Sequence, residues 1–91
     1  MSEDAVRNAL QSLPRWIGDD RAIAATFSFD SYEAGVGFAV QVSLVAQRID
    51  HHPELLVGWR RVTVTFSTHD VGGVTARDVA AAHAVDEIAP R

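Results

Sequence analysis

The sequence contains no cysteine and no lysine, and each absence excludes a class of chemistry. Without cysteine the chain can form no disulfide, thiolate nucleophile, iron–sulfur cluster or cysteine-ligated zinc site. Without lysine it can form neither a Schiff base nor a lysine-dependent phosphate-binding loop. All eight basic residues are arginine, so chemistry is left to four histidines, twelve carboxylates and the hydroxyl side chains.

Long apolar runs and an excess of positive charge are also missing. No apolar run approaches the roughly 20 residues that a membrane-spanning helix needs. The formal net charge of −4 argues against a surface that binds the phosphate backbone of nucleic acid. The acidic N-terminus does not have the pattern of a secretory leader. We therefore expect a cytoplasmic protein with neither a membrane nor a nucleic-acid partner.

The length of 91 residues predicts a single domain that covers residues 1–91. Hydrophobic periodicity predicts three helices and four strands in the order α-β-β-α-β-β-α. The helices are predicted at residues 2–13, 30–49 and 75–89, and the strands at 16–17, 22–29, 54–57 and 62–68. Connections of hairpin length imply a four-stranded antiparallel sheet with the three helices on one face, which is an α+β fold.

The long central helix carries two apolar stripes. Asp30 and Glu33 form a capping-box pattern at its start. The main stripe, which we expect to face the core, consists of Ala34, Phe38, Val42, Val45 and Ile49. The second stripe lies on another side of the helix and consists of Val36, Val40 and Leu44. Because a domain of this size has a thin core, the second stripe predicts contact with another subunit.

Three of the four histidines stand at the ends of predicted elements, where a rigid scaffold can present a side chain to a ligand. His51 and His52 end the central helix, and His69 ends a strand. Histidine can act as general acid or base without a cofactor. Two alternatives remain: exposed polar loop residues, or a metal site, which the adjacent His-His spacing does not favour. His83, inside the last helix, is predicted to be structural or exposed.

Asp78 also has two interpretations. Thr75 and Asp78 have the spacing of a capping box, so the carboxylate could do no more than hold the start of the last helix.

Several motifs together carry a resemblance to a known family. The turn Asp50-His51-His52-Pro53-Glu54 is followed by Trp59, six residues after the proline. The clearest strand then ends in Thr68-His69, and an Arg77-Asp78 pair lies on the last helix. With this spacing, which extends over nearly the whole chain, the sequence resembles the pterin-4a-carbinolamine dehydratases.

The resemblance implies four antiparallel strands with three helices on one side, dimers formed by sheet extension and tetramers formed through the long helix. The implied activity is dehydration of 4a-hydroxytetrahydrobiopterin to quinonoid dihydrobiopterin, with no metal and no cofactor. The residues implied as catalytic are His51, His52, His69 and Asp78. Those implied as substrate-binding are Glu54, Trp59 and Thr68.

Two positions depart from the pattern of many family members. Gln47 stands where many have an acidic residue, and Leu55 stands where many have tryptophan. We expect both to border the pocket and to influence substrate affinity and His51. Some relatives have lost catalysis and bind another protein, and one of these is a Rubisco assembly factor. The alternative function is therefore a weakly catalytic factor that binds an assembly client or another protein, such as a hydroxylase.

Overall fold

The computed structural model describes residues 1–90, so Arg91 of the predicted domain lies outside the described residues. The helices are α1 (Glu3–Leu10), α2 (Tyr32–Ile49) and α3 (Ala76–Ile88). The strands are β1 (Ile17–Gly18), β2 (Ile23–Ser28), β3 (Glu54–Gly58) and β4 (Arg61–Phe66). A short 3-10 turn, His69–Val71, connects β4 to α3. The predicted order α-β-β-α-β-β-α is confirmed.

The four strands form one antiparallel sheet in the order β1-β2-β4-β3. In the β3–β4 hairpin, Glu54 at the start of β3 is paired with Thr65 near the end of β4. The residues before β3 and after β4 therefore lie at the same end of the sheet, and the fold brings His51 and His52 towards His69. The topology alone predicts which end of the sheet holds the site.

One face of the sheet is buried against the helices. The inward side chains of β2 and β4 are at most 3% exposed and consist of Ile23, Ala25, Phe27, Val62, Val64 and Phe66. Burial of one such aliphatic or aromatic side chain stabilises a fold by about 1.5–3 kcal/mol. The opposite face carries hydroxyl groups, including a 2.9 Å hydrogen bond between Thr26 Oγ1 and Thr63 Oγ1. This alternation fixes the face on which the helices pack.

The end of α1 and the start of α2 differ from the predictions. α1 ends at Leu10, and Leu13 is fully buried in the core beyond the helix. Pro14 explains the early end, because a proline has no N–H to donate to the carbonyl group four residues earlier, which is here that of Leu10. The N-cap of α2 is Ser31 and not Asp30: the Ser31 hydroxyl accepts the backbone N–H of Ala34 at 3.1 Å. A serine hydroxyl caps a helix as well as a carboxylate does, and the two candidates are adjacent.

The strand predicted at 62–68 is shorter than expected. β4 ends at Phe66, and Thr68 pairs only through an isolated bridge with Gly73. Ser67 and Thr68 therefore lie between the sheet and the 3-10 turn. The alternation of inward and outward side chains in β4 therefore does not determine the directions of these two side chains.

The two stripes of α2 are placed largely as predicted. Phe38, Val42 and Val45 are buried, whereas Ala34 and Ile49, near its ends, are exposed. In the second stripe Val40 is 52% and Leu44 60% exposed. Among residues 1–90, no helix has the length and apolar character needed to cross a bilayer.

The exposed second stripe yields a test of self-association. We expect Val40→Glu to lower the particle mass measured by light scattering, because an unpaired charge in an apolar interface is strongly unfavourable. Gln41→Glu is the matched control, since residue 41 is exposed and points about 100° away on the same helix. If wild type and Val40→Glu have the same mass, the stripe is not an interface.

Candidate active site

The end of α2 is shaped by Asp50, which adopts the left-handed conformation (φ 52°, ψ 44°). The backbone N–H of His51 donates to Ala46 O at 3.1 Å, and that of Asp50 donates to Gln47 O at 3.3 Å. This pair of bonds is a Schellman motif, and aspartate is one of the few residues other than glycine that visit this conformation routinely. The chain therefore reverses sharply immediately before the two histidines.

The reversal is also tied to α3. Nη2 of Arg77 donates to the carbonyl oxygen of Asp50 at 2.8 Å. Two helices that are distant in sequence are thus joined next to the histidines. No local pattern predicted this contact, because its partners are 27 positions apart.

His51 is buried, with 8% of its surface exposed, and its ring is held from two sides. Nε2 lies 2.5 Å from Oδ1 of Asp78. The ring is also stacked on Phe66, with 5.8 Å between the ring centroids and 10° between the planes. The carboxylate fixes the direction of one ring nitrogen and Phe66 fixes the plane, so the imidazole has a defined orientation.

Asp78 is fully buried and accepts hydrogen bonds from three parts of the chain. Oδ1 faces His51, and Oδ2 accepts the hydroxyl of Thr68 at 2.7 Å and the backbone N–H of Thr75 at 2.8 Å. The predicted capping box is confirmed. The two interpretations of Asp78 are therefore not exclusive, because one carboxylate caps α3 and binds His51.

His52 and His69 are exposed, in contrast to His51. Nε2 of His52 lies 2.9 Å from Oε1 of Gln47. Gln47 thus contacts His52, whereas the sequence predicted an influence on His51. His69 begins the 3-10 turn that follows β4.

All three histidines line one open cleft of about 500 Å³, together with Asp50, Ser67, Thr68, Asp70 and Arg77. We call it the histidine cleft. An adjoining cleft of about 600 Å³ shares His52, Ser67 and His69 with it and is also lined by Glu54. The structure thus brings the predicted catalytic histidines together, with Glu54 beside them. Ser67, which lines both clefts, was not predicted.

Other residues of interest lie elsewhere. Trp59 follows β3 at the far end of the hairpin, is 74% exposed and stacks on Tyr32 with 6.4 Å between ring centroids. A single copy of the chain does not bring it to the histidine cleft, and its contact with substrate stays a prediction. Leu55 packs against the hydrophobic core. His83 is exposed on α3, with Nε2 3.4 Å from the hydroxyl of Ser12.

The chemistry that this arrangement supports is proton transfer. Within residues 1–90, no three or more histidine, aspartate or glutamate side chains are grouped so that they could hold a metal ion. A buried imidazole paired with a carboxylate, beside two exposed imidazoles, provides separate groups for accepting and donating protons. The cleft is open, so a small substrate can reach all three histidines.

Comparison with known proteins places the chain among relatives of similar length. The family model described as pterin 4 alpha carbinolamine dehydratase matches residues 1–88. A relative from Afipia carboxidovorans is 44% identical and is aligned over 100% of this chain and 93% of its own length. One from Nocardia farcinica is 38% identical over 98% of this chain and 94% of its own. Both bear the name pterin-4-alpha-carbinolamine dehydratase, assigned provisionally.

Two solved structures have the same fold. A transcriptional coactivator/pterin dehydratase from Brucella melitensis has a TM-score of 0.89 and 35% identity, covering 99% of this chain and 98% of its own. A pterin dehydratase-like protein identified as a RuBisCO assembly factor in the alpha-carboxysome has a TM-score of 0.64 and 22% identity. That match covers 80% of this chain and 84% of the other. At this identity the second likeness concerns the fold alone.

The geometry around Asp78 predicts a difference between two variants. Asp78→Ala leaves the donors on His51, Thr68 and Thr75 without their acceptor, and we expect it to lower the free energy of unfolding by about 3 kcal/mol. Asp78→Asn keeps one carbonyl oxygen for the helix cap, so we expect a loss of about 1 kcal/mol. Urea denaturation of both variants measures the difference. Equal stability of the two would show that the buried hydrogen bonds of Asp78 do not stabilise the fold.

Proposed function

The chain belongs to the pterin 4 alpha carbinolamine dehydratase family, and we propose that it catalyses the dehydration of 4a-hydroxytetrahydrobiopterin to quinonoid dihydrobiopterin. The observation that carries this proposal is the bond between His51 and Asp78 at the wall of a cleft that His52 and His69 also line. The reaction regenerates a precursor of tetrahydrobiopterin, the cofactor of aromatic amino-acid hydroxylases.

The reaction needs two proton transfers and no change of oxidation state. The 4a-hydroxyl group accepts a proton and leaves as water with the electron pair of its bond to carbon. The neighbouring ring nitrogen loses its proton, and the nitrogen electron pair forms the new double bond to that carbon. One group must therefore accept a proton and another must donate one, which suits paired imidazoles.

His51 is the proton acceptor in this proposal. With Nε2 directed at Asp78, its other nitrogen is left for the substrate, and the carboxylate stabilises the imidazolium that forms. His69 is the donor to the departing hydroxyl group. Nε2 of His52 is hydrogen-bonded to the amide oxygen of Gln47. In this proposal His52 orients the substrate and does not transfer a proton.

Glu54 provides a means of recognising the pterin ring. Its carboxylate lines the adjoining cleft beside His52 and His69. A carboxylate can accept two parallel hydrogen bonds from neighbouring N–H groups, such as those of the aminopyrimidinone edge of a pterin. The proposal therefore places that edge at Glu54 and the 4a carbon near the histidines.

The test is a direct assay with 4a-hydroxytetrahydropterin generated enzymatically by a hydroxylase. We monitor formation of the quinonoid product by its absorbance. We expect the rate to exceed the spontaneous rate by an amount proportional to the protein concentration. No acceleration would reject the enzyme and favour the alternative of a protein-binding factor. A complex with a purified candidate partner in size-exclusion chromatography would then support that alternative.

Single substitutions test the catalytic assignment. We expect His51→Ala and His69→Ala each to lower kcat by about 10²–10⁴, the usual effect of losing a general acid or base. His83→Ala is the matched control, because this histidine is exposed and outside the cleft, and it should keep the wild-type rate. Near wild-type rates for both cleft variants would mean that these histidines do not transfer the protons.

Chelation tests the prediction that no metal takes part. Because the proposed steps use side chains alone, we expect dialysis against EDTA to leave kcat unchanged. A rate that falls after chelation and returns with added zinc would contradict this prediction.

A further inference from the structure

We propose that Thr68 is a positioning residue, which acts through Asp78 to hold His51 in one tautomer, and that it does not bind substrate through its hydroxyl. The expected effect on kcat rests on the proposed function. The expected tautomer of His51 rests only on the hydrogen bonds of the free protein. The resemblance implied that Thr68 binds substrate, so the two roles have to be distinguished.

The surroundings of Thr68 show that its hydroxyl is already occupied. The residue is 6% exposed. Its Oγ1 lies 2.7 Å from Oδ2 of Asp78 and 2.8 Å from Oγ1 of Thr75. An ionised carboxylate only accepts hydrogen bonds, so Thr68 must donate its single hydroxyl proton to Asp78.

The direction of the remaining bonds follows from this donation. Since Thr68 has no second proton, the bond between the two hydroxyl groups must be donated by Thr75. The Thr75 hydroxyl in turn accepts the backbone N–H of Arg77, at 3.2 Å, in the first turn of α3. The chain of donors thus runs from Arg77 N–H through Thr75 and Thr68 to Oδ2 of Asp78.

The effect of this chain is felt at the other carboxylate oxygen. Oδ2 receives two donors, from Thr68 and the Thr75 backbone, and this fixes the plane of the carboxylate. Oδ1 is left to His51 at 2.5 Å. In the neutral imidazole, Nε2 therefore carries the proton and Nδ1 keeps its lone pair.

Nδ1 of His51 is the atom that this arrangement leaves free for chemistry. The hydrogen bond of the His51 side chain is made by Nε2. Since no buried polar side-chain atom in residues 1–90 lacks a hydrogen-bond partner, Nδ1 is not buried, and His51 lines the histidine cleft. If the carboxylate turned away from His51, Nε2 would lose its acceptor, and the ring would also adopt the tautomer with the proton on Nδ1, which cannot accept a proton there. Thr68 thereby determines the fraction of molecules in which Nδ1 of His51 can accept a proton.

The experiment compares three variants in steady-state kinetics. Thr68→Val keeps the branched shape and removes the donor; we expect kcat to fall about tenfold with KM within about twofold of wild type. Thr68→Ser restores the hydroxyl and should recover most of kcat. Thr63→Val removes a hydroxyl from the threonine pair on the open face of the sheet and should change neither constant.

A raised KM with unchanged kcat in Thr68→Val would overturn the proposal in favour of substrate binding. Unchanged constants would overturn it as well.

A spectroscopic measurement keeps the inference independent of activity. In ¹H–¹⁵N spectra of the free protein, we expect His51 to be protonated on Nε2 in wild type and Thr68→Ser. In Thr68→Val we expect signals averaged between the two tautomers. A wild-type imidazole protonated on Nδ1 would overturn the proposal even if the enzyme is active, and the expected spectra would support it even if no dehydratase activity is found.

Discussion

The buried carboxylate of Asp78 is the interaction on which both the fold and the site depend. It is fully buried, and such a charge is tolerated only when hydrogen bonds replace the water that it has lost. Its three partners come from the end of the sheet, the start of α3 and the exit from α2. The carboxylate therefore joins three segments of the chain. It lies behind the histidine cleft, which is lined by two of its partners, His51 and Thr68.

The same constraint explains why two adjacent histidines differ so strongly. After the left-handed residue Asp50, the first histidine is buried and the second is exposed. His51 points inward, to a carboxylate and to Phe66, whereas His52 points outward, to the neutral amide of Gln47. One imidazole gains a charged partner and a fixed plane, and the other stays exposed. Two identical neighbouring residues thereby lie in different environments.

The sequence predicted the features that depend on local patterns. Periodicity yielded the order of the elements, and the spacing of Thr75 and Asp78 predicted the capping box that the structure confirms. It failed between near-equivalent neighbours, as with Asp30 and Ser31 at the start of α2. Contacts between distant positions, such as that of His51 with Asp78, leave no periodic pattern and were reached only through the family resemblance. Trp59 has the family spacing, yet this spacing does not reveal that the hairpin carries it away from the cleft.

The two departures from the family pattern fall on different sides of the site. Leu55 is partly buried and packs against the hydrophobic core, and it lines neither the histidine cleft nor the adjoining one. Gln47 contacts His52 and leaves the unit of His51, Asp78 and Thr68 untouched. The amide of Gln47 holds the His52 ring through one hydrogen bond of 2.9 Å and brings no charge to it. The neutral side chain at position 47 therefore changes the exposed half of the site, while the buried half keeps its full set of hydrogen bonds.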